Sequence, residues 1–402
     1  MGSELGYKPV SVKDLLKALK NLSGLMVNLS FSAIIFGDKT LAQEVLELEN
    51  IVDKEDMLLT MQAALATRRV EDAERMVSVF KLAEATNMIS DSAGDIAKTA
   101  LSKIQISKDV SYSFLDSEEI IARFVARDTL DLKTIGWLMT ASQATADVLA
   151  VRRGRRVILE PEPGFALKKG DVVILKGSFE ALKAISDVLG IELFVGKISK
   201  DSEYKEILGD LIQIRNTALV MVDLAYTSVL TKSEELAEKV VDLEDYVDRM
   251  LETFERKVLM SDPLPLDEKL ALLHIAMASE GISDAALKMV QPLLAGLEPH
   301  DIIAEVLEET YERISVIEMD EEDEGKTLSE LGYSKRGMTV LAIKRGDEWI
   351  VMPPYSGFKV RKGDILMVKY VSESEKYLDE LEKEEDREEI IEDIQEEEWE
   401  EE

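Results

Sequence analysis

Between residues 11 and 104, apolar side chains recur every three or four positions, the spacing of helices that bury one stripe. Pro9 stands before the first segment and no proline interrupts it. Breaks at Gly37-Asp38-Lys39 and at Ala66–Arg69 predict three long helices. Residues 203–293 repeat the pattern, with a break at Thr231-Lys232-Ser233 and a firmer one at Asp262-Pro263-Leu264-Pro265. Long helices joined by short links bury their stripes as antiparallel bundles.

After each helical stretch the period changes. Short β-branched runs, Ile120–Ala126, Asp147–Arg152, Val157–Glu160 and Val172–Lys176, are separated by Gly and Pro. Helices are predicted over Leu132–Gln143 and Phe179–Leu189. A second set reads Arg313–Met319, Thr339–Lys344, Trp349–Met352 and Ile365–Tyr370, with helix Thr327–Leu331 and a last helix starting near Glu373. Hairpins turn at Arg153-Gly154 and Gly346-Asp347. These are compact α+β modules.

The chain is written twice. At an offset of 195, Val27–Asp53 lies over Val222–Asp248 without a gap, with nine of 27 positions identical. Chance gives roughly two for an average composition. Ile89-Ser90-Asp91 matches Ile282-Ser283-Asp284, Val148–Gly154 matches Val340–Gly346, and Lys169-Gly170-Asp171 matches Lys362-Gly363-Asp364. The fold class is therefore α+β, predominantly helical and internally duplicated. Two three-helix bundles (1–106 and 201–298 with their links) alternate with two small modules (107–200 and 299–380), and an acidic tail occupies 381–402.

The formal net charge of −33 is unevenly spread: residues 373–402 carry −15 and the rest −18. Such a chain lacks the basic footprint that nucleic acid requires. Cysteine is absent, which excludes disulfides, thiolate metal sites and Cys nucleophiles. With only His274 and His300, a His-rich metal site or a Ser-His-Asp triad is not expected. His274 sits in an apolar helical run and reads as core; His300, beside Pro299, reads as a helix cap. Trp137 and Trp349 also read as core. Five Asn, seven Gln and 32% charged residues lean towards a thermophilic source. The N-terminus has no signal-peptide layout and no apolar run is long enough to span a bilayer, so a cytoplasmic location is expected.

The helical parts resemble PhoU-like three-helix repeats, and the α+β parts resemble the TrkA-C (RCK C-terminal) module of potassium-transport regulators. The second copy carries that module's pattern as Gly325-Lys326-Thr327-Leu328-Ser329-Glu330-Leu331, Val340–Gly346, Val351-Met352-Pro353 and Lys362-Gly363-Asp364. The first keeps Val148–Gly154, Pro161 and Lys169-Gly170-Asp171, but starts with Leu132-Lys133-Thr134-Ile135, without the glycine. The alternation is similar to that of archaeal proteins built from both modules. No Gly-x-Gly-x-x-Gly follows a strand, and Asp320 replaces the first P-loop glycine before Gly325-Lys326-Thr327, so no NAD or ATP domain is expected.

The resemblance implies a non-enzymatic regulator of cation, chiefly potassium, transport, acting on a membrane transporter or channel. Homodimers and a small nucleotide ligand at paired modules are implied with it. The alternative is a PhoU-type regulator of phosphate uptake. A metal-dependent hydrolase is a third class, for which the sequence offers only carboxylates. PhoU-like proteins carry carboxylate motifs that hold metal clusters, a divalent metal or iron. The matching positions are Glu49, Asp53 and Asp91, and in the second half Glu244, Asp248, Glu280 and Asp284. A four-residue step puts both carboxylates of a pair on one helical face, where hard oxygens suit such metals. Acid pairs at this spacing also arise by chance in so acidic a chain, and Asn87 stands where the second half has Glu280. Arg152 and Arg153, with Arg155 and Arg156 beside them, form a dense basic cluster that thins to Lys344 and Arg345 in the copy. Arginine pairs suit phosphate, whereas charged hairpin tips also serve solubility alone.

Overall fold

The computed structural model describes residues 9–102, 108, 119–191, 205–346, 348–351, 357–371 and 374. The first bundle comprises α1 (Val12–Phe36), α2 (Lys39–Ala66) and α3 (Val70–Leu101). Local chemistry sets its corners. Ser11 accepts from the Asp14 N–H to start α1; Gly37, at φ 58°, ends it; and Asp38 caps α2 by accepting from Thr40 N–H at 3.1 Å. The second bundle comprises α6 (Lys205–Thr231), α7 (Glu234–Met260) and α8 (Leu266–Leu294), with Ser233 capping α7 and Pro265 preceding α8.

The first module runs β1 (Glu119–Val125), α4 (Ile135–Ser142), β2 (Asp147–Arg153), β3 (Arg156–Leu159), β4 (Val172–Ser178) and α5 (Phe179–Leu189). Its antiparallel sheet has the order β1-β4-β2-β3. In the second module, α9 (Ile302–Glu309) leads into β5 (Glu312–Glu318), α10 (Leu328–Leu331), β6 (Met338–Arg345), β7 (Glu348–Ile350) and β8 (Ile365–Val371), in the matching order β5-β8-β6-β7. Both sheets bulge at the same place, between Val148 and Ala150 and between Val340 and Ala342.

The module motifs have local structural causes. Thr327 and Glu330 form a capping box at α10, and Thr134 caps α4. Gly325 holds φ 84°, and its counterpart Leu132 is forced into the same left-handed region at φ 64°. Gly170 and Gly363 likewise take positive φ, at 87° and 81°, in the turns before β4 and β8.

One continuous hydrophobic core runs through both bundles and onto one face of each sheet. Each sheet's other face packs under its own module core. Strand alternation sorts the residues: in β4, Val173 and Leu175 face the module while Ile174 faces the helices. The bundles touch directly through α3 and α8, where Gly281 leaves room for Ser92. Val12–Phe36 and Leu266–Leu294 are long and apolar enough to cross a bilayer, but 67% and 56% of those apolar windows are buried inside the protein.

Two expectations change. His274 is exposed, because it lies about 200° around the helix from buried Leu272. Trp137 is 38% exposed, with the Lys133 ammonium 4.7 Å from its ring; Trp349 is core as expected. His300 does serve the start of α9, its Nδ1 accepting from Ile302 N–H at 3.1 Å. The acidic tail and the helix expected near Glu373 lie outside the described residues, apart from Ser374.

Candidate functional site

Where the two bundles meet the inner faces of the two sheets there is a cavity of about 200 Å³. Its wall comes from α1 (Lys20, Val27), α6 (Arg215, Asp223, Tyr226), β1 (Glu119), β4 (Lys176), β5 (Glu312), β6 (Leu341) and β8 (Lys369). Lys176 and Lys369 continue the inward parity of Ile174 and Met367, so two strands that are otherwise apolar each deliver a lysine to the interior.

These charges are tightly organised. Lys176 Nζ lies 2.7 Å from Glu312 and 3.5 Å from Glu119, and Lys369 Nζ lies 2.8 Å from Asp223 and 3.4 Å from Glu119. The cross-module contacts Lys176–Glu312 and Lys369–Glu119 are reciprocal, since 176/369 and 119/312 are repeat mates. A second reciprocal pair comes from the helices: the Arg215 guanidinium stacks 4.7 Å from the Phe31 ring, and the Lys20 ammonium lies 5.0 Å from Tyr226. Reciprocity of this kind is the mark of a two-fold interface, here built within one chain. The modules also touch through Ser178 Oγ donating to Ser334 O and Thr145 N–H donating to Lys335 O.

Burial and charge set the protonation states. Burial raises Glu312 and Glu119, but Lys176 and Lys369 together pull both below the usual carboxylate range. Burial lowers the two lysines, and the surrounding carboxylates overcome it and hold both above the usual lysine range. Lys20 and Arg215 differ. Among the described residues Lys20 donates only to neutral oxygens, Thr310 Oγ1 and Glu312 O, and burial pushes it down to about 8. Arg215 donates from Nη1 to Asn216, its Nε is buried with no hydrogen bond among the described residues, and burial pushes it down to about 10. The Tyr226 hydroxyl is also buried, with no hydrogen-bond partner among the described residues.

The two halves are not identical around this centre. Lys369 faces Asp223, whereas the repeat mate of Asp223 is Asn28; Asp147 in β2 pairs across the sheet with Lys176, whereas its mate is Thr339. Burial pushes Asp147 well above the carboxylate range, and its Oδ1 has no hydrogen-bond partner among the described residues.

The arginines and lysine singled out by sequence lie on the two hairpins. Arg153 is bidentate to Asp171 at 2.9 and 2.7 Å, donates to Ala166 O and stacks on Phe165. Arg345 repeats this on Asp364 at 2.8 and 2.6 Å, Lys359 O and Phe358. Arg152 pairs with Asp38 at 3.2 Å, which ties the sheet to the first bundle, and Lys344 is buried.

The helical carboxylates group by half. Around Glu49, Asp53 and Asp91, Lys98 reaches Glu49 at 3.4 Å and Asp95 at 3.0 Å. Burial, then the charges of Asp53 and Glu49, raise Asp91. In the second half Gln291 replaces Lys98, and Lys288 reaches away to Glu84 at 3.5 Å. There burial, then Asp284, Asp248 and Glu244, raise Glu280 to about 7. Among the described residues no group of three or more His, Asp or Glu is placed to hold a metal ion.

Sequence reasoning did not pick out the central residues, although one signal was available. Lys176 and Lys369, and Glu119 and Glu312, recur at an offset of 193, each lysine near the end of an apolar strand run.

With this geometry in place, the chain can be compared with known proteins. Residues 16–100 and 211–292 each match the PhoU domain, so both bundles are similar to PhoU domains. The chain is similar to PhoU from Pseudomonas aeruginosa (16% identity, covering 70% of this chain and 94% of that one, TM-score 0.38). It is similar to the phosphate transport system regulatory protein PhoU from Streptococcus pneumoniae (12% identity, 70% and 93%, TM-score 0.37). The RCK domain of the GsuK channel aligns at 12% identity over 77% and 78%, with TM-score 0.18. No curated protein matches the chain.

Proposed function

We propose that the protein is a non-catalytic, cytoplasmic regulator of membrane cation transport, potassium first, that senses a small ligand and passes its occupancy to a transporter or channel. One observation carries this: the central cavity is walled by both helical bundles and both α+β modules, so a single occupant touches all four. A ligand that fits one relative arrangement better than another shifts the population towards it, and the packed helices transmit the difference. Burial of a four-charge centre at the junction favours few discrete arrangements over continuous sliding.

The test is potassium flux and phosphate uptake measured in one deletion strain. Altered potassium flux with normal phosphate uptake supports the proposal. The reverse supports a PhoU-type regulator of phosphate uptake, the second reading, which the two PhoU-domain matches favour. For a divalent metal, the second-half carboxylates Glu244, Asp248, Glu280 and Asp284 are the proposed donors. Their mutual repulsion is the electrostatic condition that a bound cation relieves, whereas in the first half Lys98 moderates it.

A further inference from the structure

We propose that the central cavity binds a small organic monoanion, a carboxylate with an apolar body, held between Lys20 and Arg215. This deepens the sensing role proposed above and rests on it for its biological meaning, although the site itself stands on geometry.

Charge bookkeeping gives the sign and size of the missing group. Four cations, Lys20, Lys176, Lys369 and Arg215, line the cavity against three carboxylates, Glu119, Glu312 and Asp223. The carboxylates are engaged by Lys176 and Lys369, which leaves Lys20 and Arg215 without an ion-pair partner among the described residues. Asp147 does not supply the missing charge: it does not line the cavity but an adjoining pocket of about 20 Å³ that shares Lys20 and Glu312 with it, and burial favours its neutral form. One positive charge is therefore left over, which selects a monoanion over a dianion and rejects a metal or potassium ion at this position. Buried cations without partners are costly, and a carboxylate satisfies them with charge-assisted hydrogen bonds. The unpartnered Arg215 Nε and Tyr226 hydroxyl add two donors beside the same space.

The rest of the wall describes the body of the ligand. Val27, Ile121, Leu219, Val222, Ile314 and Leu341 are apolar, from helices and strands of both halves. A cavity of about 150 Å³ holds benzene, so one of about 200 Å³ takes a carboxylate of about ten heavy atoms. Inorganic phosphate leaves that apolar surface unfilled, and a dinucleotide is too large for it.

The experiment is calorimetry on the full chain with benzoate and octanoate, each against its neutral amide and against orthophosphate. The expected result is saturable binding of a carboxylate, with the amide and orthophosphate roughly tenfold or more weaker, as loss of a charge-assisted hydrogen bond implies. Arg215→Leu and Lys20→Met should each weaken the carboxylate by a similar factor. No binding by either carboxylate, equal binding of the amide, or undiminished binding in both variants overturns the site. The carboxylate–amide comparison uses the natural chain, so a variant that fails to fold does not leave the question open. Carboxylate binding alongside unchanged potassium flux and phosphate uptake in the deletion strain refutes the regulatory role and keeps the site. A flux change without carboxylate binding does the opposite.

Discussion

Asp171 in the first half and Asp364 in the second make the same contacts: a bidentate arginine, a backbone N–H three residues earlier, and near-complete burial. The residues around Lys176 and Lys369 have diverged. The first half presents Asn28, Asp147 and Lys20, and the second Asp223, Thr339 and Arg215. A contact that fixes a hairpin has one good solution and is kept in both copies. A cavity shared by two copies needs the two-fold only for its central lysines and glutamates. Its rim can then be asymmetric, as a single, asymmetric ligand requires. The same contrast recurs on the helical carboxylates: Lys98 reaches Glu49 and Asp95 in the first half, whereas in the second Gln291 stands in its place and Lys288 reaches Glu84.

The comparison can be broken in several places, starting with the largest effect. Lys176→Met removes the cation that bridges Glu119 and Glu312 and leaves buried charge behind, so urea unfolding should show a loss of about 3–5 kcal/mol. A loss below 1 kcal/mol would mean that the centre does not hold the halves together. Arg153→Leu and Arg345→Leu should each cost about 3 kcal/mol by leaving Asp171 or Asp364 buried alone. Unequal losses would show that the two clamps are not equivalent.

Acid and base should act on different groups. Glu119 and Glu312 are held below their unfolded values, so their stabilisation is present above about pH 4.3 and is lost as pH falls through the folded values. Lys20 is displaced the other way. Its folded value of about 8 lies below the unfolded value of about 10.4, so the unfolded chain binds more protons between them and stability rises with pH across that window. Lys20→Met should abolish that rise, read from thermal unfolding between neutral and alkaline pH. A rise of the same size in the variant would mean that Lys20 is not the uncompensated cation.

Smaller effects concern backbone strain and metal. Leu132 occupies the left-handed position that Gly325 fills in the other module, so Leu132→Gly should stabilise by about 1 kcal/mol and Gly325→Leu should destabilise by about 1–2 kcal/mol. Titration with Mn²⁺ by calorimetry should give weak heat that Asp248→Ala and Asp284→Ala remove and Asp53→Ala leaves unchanged. Heat that survives in both second-half variants would exclude those carboxylates as donors.

Much of the fold was legible because its punctuation is local. Gly37-Asp38, Ser233 and Pro263–Pro265 each terminate or start a helix through their own backbone and side-chain chemistry, and the strand runs announce themselves by composition. The motif glycines and Lys-Gly-Asp turns were visible as patterns, while their cause, the Arg153–Asp171 and Arg345–Asp364 clamps, needed the sheet to bring hairpin and turn together. The cavity was least legible. Lys20, Glu119, Lys176, Arg215, Glu312 and Lys369 are far apart in sequence, and each looks ordinary in its own window. By contrast the Glu-x-x-x-Asp pairs stood out by their spacing, which any solvated helix face in an acidic chain also provides.

The most direct test of ligand sensing at the junction is a distance measurement between the modules. The chain has no cysteine, so Arg155→Cys and Glu348→Cys place two spin labels, one on each hairpin, with no background sites. Both residues are exposed. A saturating carboxylate that binds the cavity should shift the inter-label distance distribution in this protein and leave it unchanged when Arg215→Leu is added. Identical distributions with and without a bound carboxylate would contradict transmission from the cavity to the modules.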